Sequence, residues 1–256
     1  MFEFAALWHA LTVCLALAAV TWAVSIPMRN VSIVDSVWSL LIAGAAWSFA
    51  WPAGVAGARG SLALALVSIW AVRLATYITV RNRGHGEDRR YREIRARNQP
   101  GFVFKSLYLV FALQAVLALV ISLPLLPVVR STQPLGLADT PGVLLWLSGF
   151  AWETVGDWQL ARFKAVATNR GGVMDRGLWR YSRHPNYFGE CCQWWGLFLL
   201  ALGTGAWWTI LSPLLMTLLL LKVSGVTLLE RDIDERRPGY RQYVAHTNAF
   251  FPWVPR

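Results

Sequence analysis

The stretch from Cys191 to Leu221, CCQWWGLFLLALGTGAWWTILSPLLMTLLLL, contains no Asp, Glu, Lys or Arg over 31 residues. A helix needs roughly 20 mostly apolar residues to cross a bilayer, so this stretch is too long for a single crossing. Gly203-Thr204-Gly205 offers a break near its middle, because glycine interrupts helices. The sequence therefore predicts an integral membrane protein, with two crossings in this stretch alone.

Apolar stretches of similar length fill most of the remaining chain. Two carry no charge, and three others are interrupted only by Asp35, by Arg73, and by Glu153 with Asp157. The composition agrees, because 56% of the residues are apolar and only 15% are charged. The sequence predicts one all-α domain, a polytopic membrane bundle of about seven helices. The predicted spans cover residues 4–28, 31–52, 61–81, 106–129, 141–162, 187–203 and 206–229, with a tail at 230–256.

Basic residues indicate how the protein is oriented. With the amino terminus outside, most of the 24 Lys and Arg residues fall in loops on the inner side, and only Arg59 and Arg130 lie outside. This distribution follows the positive-inside rule and predicts a cytoplasmic carboxyl terminus, in a membrane such as the bacterial inner membrane. The first segment begins Met-Phe-Glu-Phe without the positive region of a signal peptide, so it is predicted to be retained.

The net charge of +10 does not require a nucleic-acid partner. Membrane orientation and anionic lipid headgroups account for much of it, although the arginine-rich inner loops also suit a ligand with phosphate groups. The three cysteines lie in or beside apolar spans, and the four histidines lack metal-ligand spacing. We therefore predict neither a disulfide framework nor a metal site.

Charges inside predicted spans mark candidate functional positions, because each costs about 2.5 to 3.5 kcal/mol to insert. Glu153 and Asp157 are four residues apart, and Lys164 follows seven residues later. This spacing predicts a polar stripe on one face of the fifth span as it approaches the basic side. An internal ladder of ion pairs that only holds helices together is the structural alternative.

The entrance to the sixth span carries the strongest local motif, DRGLWRYSRHPNYFGE over residues 175–190. Arginine side chains suit phosphate recognition because they present planar, bidentate donors. Pro185 and Asn186 can begin a helix whose amino end favours anions. A basic cluster that only touches lipid phosphates explains the same residues equally well.

These motifs resemble a bacterial uncharacterised family related to the steroid 5-alpha-reductases. The resemblance rests on RGLWRYSRHPNYFGE at 176–190, with DWQLARFK at 157–164 and RRPGY at 236–240. The wider superfamily also contains sterol reductases, which use NADPH, and isoprenylcysteine carboxyl methyltransferases, which use S-adenosylmethionine. A second match, Arg73, Tyr77 and Asn82-Arg83-Gly84 at the end of the third span, favours the reductase branch.

The resemblance, the charges inside the spans and the arginines of the entrance motif together indicate a set of site residues. Asp35 and Tyr77 are the candidate catalytic groups, at the substrate end. Cofactor contacts are expected from Arg73, Asn82, Arg83, Glu153, Asp157, Lys164, Arg176, Arg180, Tyr181, Arg183, His184, Asn186 and Glu190.

The chain departs from the steroid enzymes at the substrate end. Trp70 stands three residues before Arg73, where they carry a tyrosine thought to polarise the substrate carbonyl. A neutral Asp35 in an apolar pocket could donate to that carbonyl instead. The glycine fingerprint of a dinucleotide-binding Rossmann fold is also missing, so any dinucleotide would bind in another manner.

The expected function is an NADPH-dependent reductase of a carbon-carbon double bond in a lipophilic enone that enters from the bilayer. The alternatives are an S-adenosylmethionine-dependent methyltransferase of a lipid or prenylated substrate, and a membrane subunit without catalytic activity. A non-catalytic subunit would give no function to one cluster of polar residues: Asp157, Arg183, His184, Asn186 and Glu190.

Overall fold

The computed structural model describes residues 4–51, 53–223, 225–230, 233, 237 and 239–255, and all regular structure within them is helical. This confirms the all-α prediction. The helices are α1 (Phe4–Met28), α2 (Ile33–Ser48), α3 (Ala58–Asn82), α4 (Arg89–Arg97), α5 (Phe102–Ser122), α6 (Leu125–Val129), α7 (Thr140–Ala165), α8 (Pro185–Leu202), α9 (Trp207–Val223), α10 (Val226–Glu230) and α11 (Tyr240–His246).

Three helices, α1, α3 and α5, are long and apolar enough to cross a membrane, and α2 and α9 are shorter apolar helices. The chain is therefore a helical membrane protein, whereas the count of seven crossings and the sides of the termini stay predictions. The fourth predicted span, 106–129, is interrupted by a turn at Leu123-Pro124, because proline has no amide hydrogen to continue a helix. In the predicted tail motif, Arg236 and Pro238 lie outside the described residues.

The chain divides into two compact units. Unit 1 contains the residues up to Leu135 together with Thr204–Ala206, and unit 2 contains Gly136–Gly203 and the residues from Trp207 onward.

In unit 1, helices α1, α2, α3 and α5 pack around a core of small and branched side chains. The buried face of α1 consists of Ala6, Ala10, Cys14, Ala18, Thr21 and Ser25, spaced three or four residues apart. Small residues at this spacing let helix backbones approach closely, which is how helices associate in membranes. Large apolar side chains on the same helix, including Phe4 and Trp8, are exposed. That distribution suits a surface that faces lipid.

The polar loop between α3 and α5 is bound to the start of α2. Glu87 accepts a hydrogen bond from the backbone amide of Val31 at 2.9 Å, and the amide of Asp88 donates to Ser32 Oγ at 3.0 Å. The carboxylate of Asp88 also caps α4, because it accepts from the amide of Arg90 at 2.9 Å. The loop is thereby ordered, and α4 is fixed beside α2.

Unit 2 is built on the pair α7 and α8, and α9 packs against α8. Glycines recur every seven residues, at 142, 149 and 156 on α7 and at 189 and 196 on α8. A Cβ atom on Gly149 would lie 2.5 Å from the carbonyl oxygen of Gly189, and one on Gly196 would lie 2.6 Å from that of Gly142. Only glycine permits this approach, so the two helix backbones are nearly in contact.

Candidate functional site

A buried polar seam runs between α7 and α8, formed by Glu153 and Asp157 of α7 and by Asn186 and Gln193 of α8. Gln193 Nε2 donates to Glu153 Oε2 at 2.7 Å, and Asn186 Nδ2 donates to Asp157 Oδ1 at 3.0 Å. Glu153, Asp157 and Gln193 are buried, as is Glu190 of α8. A carboxylate without hydrogen bonds is costly in an apolar interior. In each pair, an amide group of α8 therefore donates a hydrogen bond to a carboxylate of α7.

The glycine spacing explains why the seam forms at this place. Gly149 and Gly156 lie on either side of Glu153 in the sequence, and a Cβ atom on Gly189 would meet the backbone nitrogen of Glu153 at 2.5 Å. The close approach brings short amide side chains within hydrogen-bond distance of the carboxylates. Asp157 and Asn186, both predicted from the sequence, are brought together in this way. Gln193 was not predicted, although its position seven residues after Asn186 could have indicated it.

The entrance turn, residues 179–184, precedes α8 and is bound to the terminal segment, residues 240–255. The amide of Arg183 donates to the carbonyl of Asn248 at 2.9 Å, and the amide of Trp253 donates to the carbonyl of Tyr181 at 3.0 Å. Ser182 Oγ donates to the carbonyl of Phe250 at 2.8 Å. The terminal segment therefore belongs to the structure of unit 2.

Glu230 is the centre of the contacts at the entrance turn. Its carboxylate accepts two bonds from the guanidinium of Arg183, each at 2.8 Å, and one from the hydroxyl of Tyr240 at 3.0 Å, and it pairs with His184 Nε2 at 2.9 Å. Burial alone would raise the pKa of Glu230, but the hydrogen bonds and charges of Arg183 and His184 outweigh burial and hold that pKa at about 2. Arg183 is thus bound by a carboxylate of its own chain.

The other predicted contacts of unit 2 are exposed. Lys164 lies at the end of α7, and Arg176, Arg180 and Tyr181 lie on or beside the turn that leads into the entrance. That turn is held on α7, because Trp179 Nε1 donates to the carbonyl of Gly156 at 3.0 Å. These exposed cations belong to the same unit as the polar seam.

The predicted site residues of unit 1 lie on α2, α3 and the loop that follows. Asp35 accepts from the hydroxyl of Tyr91 at 2.6 Å and from Arg90 at 2.8 Å, so Arg90 is its ion-pair partner. Tyr77 and Arg73 are partly buried on α3, and the guanidinium of Arg81 lies 5.7 Å from the centre of the Tyr77 ring. At the end of that helix, Asn82 accepts from Arg81 at 3.2 Å and Arg83 is exposed.

A family model described as Protein of unknown function (DUF1295) matches residues 21–247, which is most of the chain. The chain belongs to this family. It is the steroid 5-alpha-reductase-like family that the sequence motifs indicated. Among curated proteins, the chain is similar to Uncharacterized protein C594.04c of Schizosaccharomyces pombe, with 26% identity over 268 residues covering 92% of this chain and 76% of the relative. No solved structure gives a significant match.

Proposed function

We propose that the protein is a membrane-embedded, NADPH-dependent reductase of a carbon-carbon double bond in a lipophilic enone. The observation that carries the proposal is the buried seam of unit 2, in which Asp157 and Asn186, from two motifs that resemble the reductases, are paired. Intramembrane acids that are buried and hydrogen-bonded are functional candidates by default, because a purely structural bundle avoids their cost.

The side chains of unit 2 fit the chemical groups of NADPH. Carboxylates such as Glu153 and Asp157 accept hydrogen bonds from hydroxyl and amide groups, and Asn186 can both donate and accept. Exposed Lys164, Arg176 and Arg180 supply positive charge for phosphates. When bound, NADPH would supply a hydride to the substrate.

Arg183 has a different role in this proposal. Its guanidinium binds Glu230 and the carbonyl of Thr247, so we assign it to holding the entrance turn in place. His184, which also contacts Glu230 and stacks on Tyr187 with ring centres 5.6 Å apart, is assigned to the same task. Both residues then act on the cofactor through the position of Asn186, which follows them in the chain.

At the substrate end, the contacts of Asp35 favour Tyr77 as the group that touches the carbonyl. Both oxygen atoms of Asp35 accept hydrogen bonds, one of them from an arginine, and an ionised carboxylate has no proton to donate. Tyr77 carries a hydroxyl group that can donate to a developing enolate oxygen. In this proposal Asp35 orients the side chains of Arg90 and Tyr91, and the substrate enters from the lipid.

Thermal unfolding of the detergent-solubilised protein tests the cofactor. Binding only to the folded state raises the melting temperature, so NADPH should raise it more than NADH does, because the exposed arginines can bind the additional 2'-phosphate. Asn186→Ala should reduce the NADPH shift, since it removes the partner of Asp157. Equal shifts with both dinucleotides would contradict the proposal. A shift with S-adenosylmethionine alone would instead indicate a methyltransferase.

A further inference from the structure

Unit 1 contains a second polar cluster, formed by Asp35 of α2, Arg90 and Tyr91 of α4, and Gln114 of α5. Asp35 accepts from Arg90 and from Tyr91, and Gln114 Nε2 lies 3.1 Å from the hydroxyl oxygen of Tyr91. Tyr91 is buried, and the other three side chains are partly buried. Three helices thus contribute to one chain of hydrogen bonds.

The chemistry of the cluster fixes the direction of each hydrogen bond. Asp35 is paired with Arg90 and is therefore an ionised acceptor, so the hydroxyl hydrogen of Tyr91 must point to Asp35. The oxygen of Tyr91 can then only accept, and Gln114 must present its NH₂ group to it. The orientation of the Gln114 amide follows from these contacts, and its carbonyl oxygen, Oε1, faces away from Tyr91.

Gln114 Oε1 is buried and has no hydrogen-bond partner among the described residues. A buried acceptor of this kind is rare in folded proteins and requires an explanation, of which a ligand is one. A second feature lies beside it, because residues Leu107–Ala112 of α5 form a π-helical segment that ends two residues before Gln114. Such segments are rare and frequently occur at functional sites.

We propose that Gln114 Oε1 binds a hydroxyl group of the lipophilic substrate, and that the Asp35–Tyr91 pair fixes the amide for this task. The inference rests on the proposed function, to which it adds the substrate class: an enone that also carries a free hydroxyl group. A site built around a buried acceptor rejects an analogue that cannot donate to it, because the acceptor is then left unpaired. Gln114 is therefore a specificity-determining residue.

A matched pair of ligands tests the proposal by direct binding. The probes are a tritium-labelled polycyclic enone with a free hydroxyl group and the same enone with that hydroxyl methylated. The parent protein should bind the hydroxyl form at least about tenfold more tightly, as expected for one buried hydrogen bond. Gln114→Leu should abolish this preference. Tyr91→Phe should reduce it, because the amide is then free to rotate.

Tyr108→Phe is the matched control, since Tyr108 lies on the same helix, is 59% exposed and should leave the preference unchanged. Melting temperatures measured for every variant verify that each one folds. Equal affinities of the parent for the two probes, or no binding of either, would overturn the inference, as would a preference that survives Gln114→Leu. The NADPH shift is measured separately. If that shift is missing while the hydroxyl preference is present, the reductase proposal fails, whereas Gln114 is still shown to bind the hydroxyl group of a lipophilic ligand.

Discussion

Arg183 uses all three of its guanidinium nitrogen atoms for contacts within its own chain. Nε and Nη2 donate to Glu230, and Nη1 donates to the carbonyl of Thr247. A fork-shaped, bidentate contact of this kind is strong and specific in direction. The same geometry that makes arginine suitable for a phosphate thus makes it suitable for a carboxylate, and here the carboxylate is supplied by the chain itself.

Glu230 should make the stability of the protein depend on acid pH. Its pKa in the folded state is about 2, below the ordinary value of 4.5, so its contribution is complete above pH 4.5 and is lost as the pH falls towards 2. The shift corresponds to about 3 kcal/mol. We expect the melting temperature of the parent to fall over this range more steeply than that of Glu230→Gln.

Glu93→Gln is the control for this measurement. Glu93 pairs with Arg89 at 3.1 Å, but both side chains are about half-exposed. Exposed ion pairs contribute little, so this variant should follow the parent at every pH. If Glu230→Gln also follows the parent, the ion pair with Arg183 does not stabilise the folded state.

The sequence motifs named Asp157 and Asn186 as candidate site residues, and the structure joins these two side chains by a hydrogen bond. The contact forms because their motifs mark the facing ends of α7 and α8, which are successive apolar helices. The partners of Arg183 and Asp35 were not found, because Glu230 and Tyr91 are 47 and 56 residues distant in the sequence. Periodicity and motif spacing carry no information about contacts over such distances.

At the level of the helices, the glycine spacing of α7 and α8 sets the geometry of the polar seam. A seven-residue spacing places side chains on nearly the same face of a helix, so the glycines form one flat stripe on each partner. This signal is present in the sequence but is hidden by the apolar residues around it. Hydropathy alone was enough to predict α7 and α8 as membrane spans. Their close packing could not be predicted from hydropathy, because it depends on the glycines.

Replacing these glycines by alanine should destabilise unit 2, and the loss should be larger where the added Cβ atom lies closer to its neighbours. A Cβ atom on Gly189 would lie 2.5 Å from backbone atoms of α7, so Gly189→Ala should cost about 1 to 3 kcal/mol and lower the melting temperature. Gly156→Ala should cost less, because its nearest contact is at 3.3 Å. Gly86→Ala is the control, with no atom within 4 Å. Equal melting temperatures for all three variants would show that the helices can separate freely.

Considered as a whole, the molecule combines an apolar exterior with buried polar groups inside each unit. Large apolar side chains are exposed along α1, α3 and α5, whereas Glu153, Asp157 and Glu190 are buried. A water-soluble protein shows the opposite arrangement. The membrane helix bundle predicted from hydropathy agrees with this arrangement. The helix α7 contains two of the buried acids and is not among the three helices that are long and apolar enough to cross a membrane, so its crossing has to be tested.

The topology of the chain can be tested with single cysteines and a thiol reagent that does not cross membranes. If seven spans are present, His85→Cys, in the exposed loop after α3, should be labelled only from the cytoplasmic side, and Leu137→Cys, which is 93% exposed before α7, only from the outside. The reason is that the loop around His85 is rich in arginine, and arginine-rich loops stay on the cytoplasmic side of the membrane. The native cysteines are buried or partly buried, so the unsubstituted protein serves as the background.

A tag after Arg256 should lie on the same side of the membrane as His85, because three further crossings separate Leu137 from the terminus. Labelling of His85 and Leu137 from the same side would show that α5 does not span the bilayer. A tag on the same side as Leu137 would show that the crossings made by α7, α8 and α9 are not three.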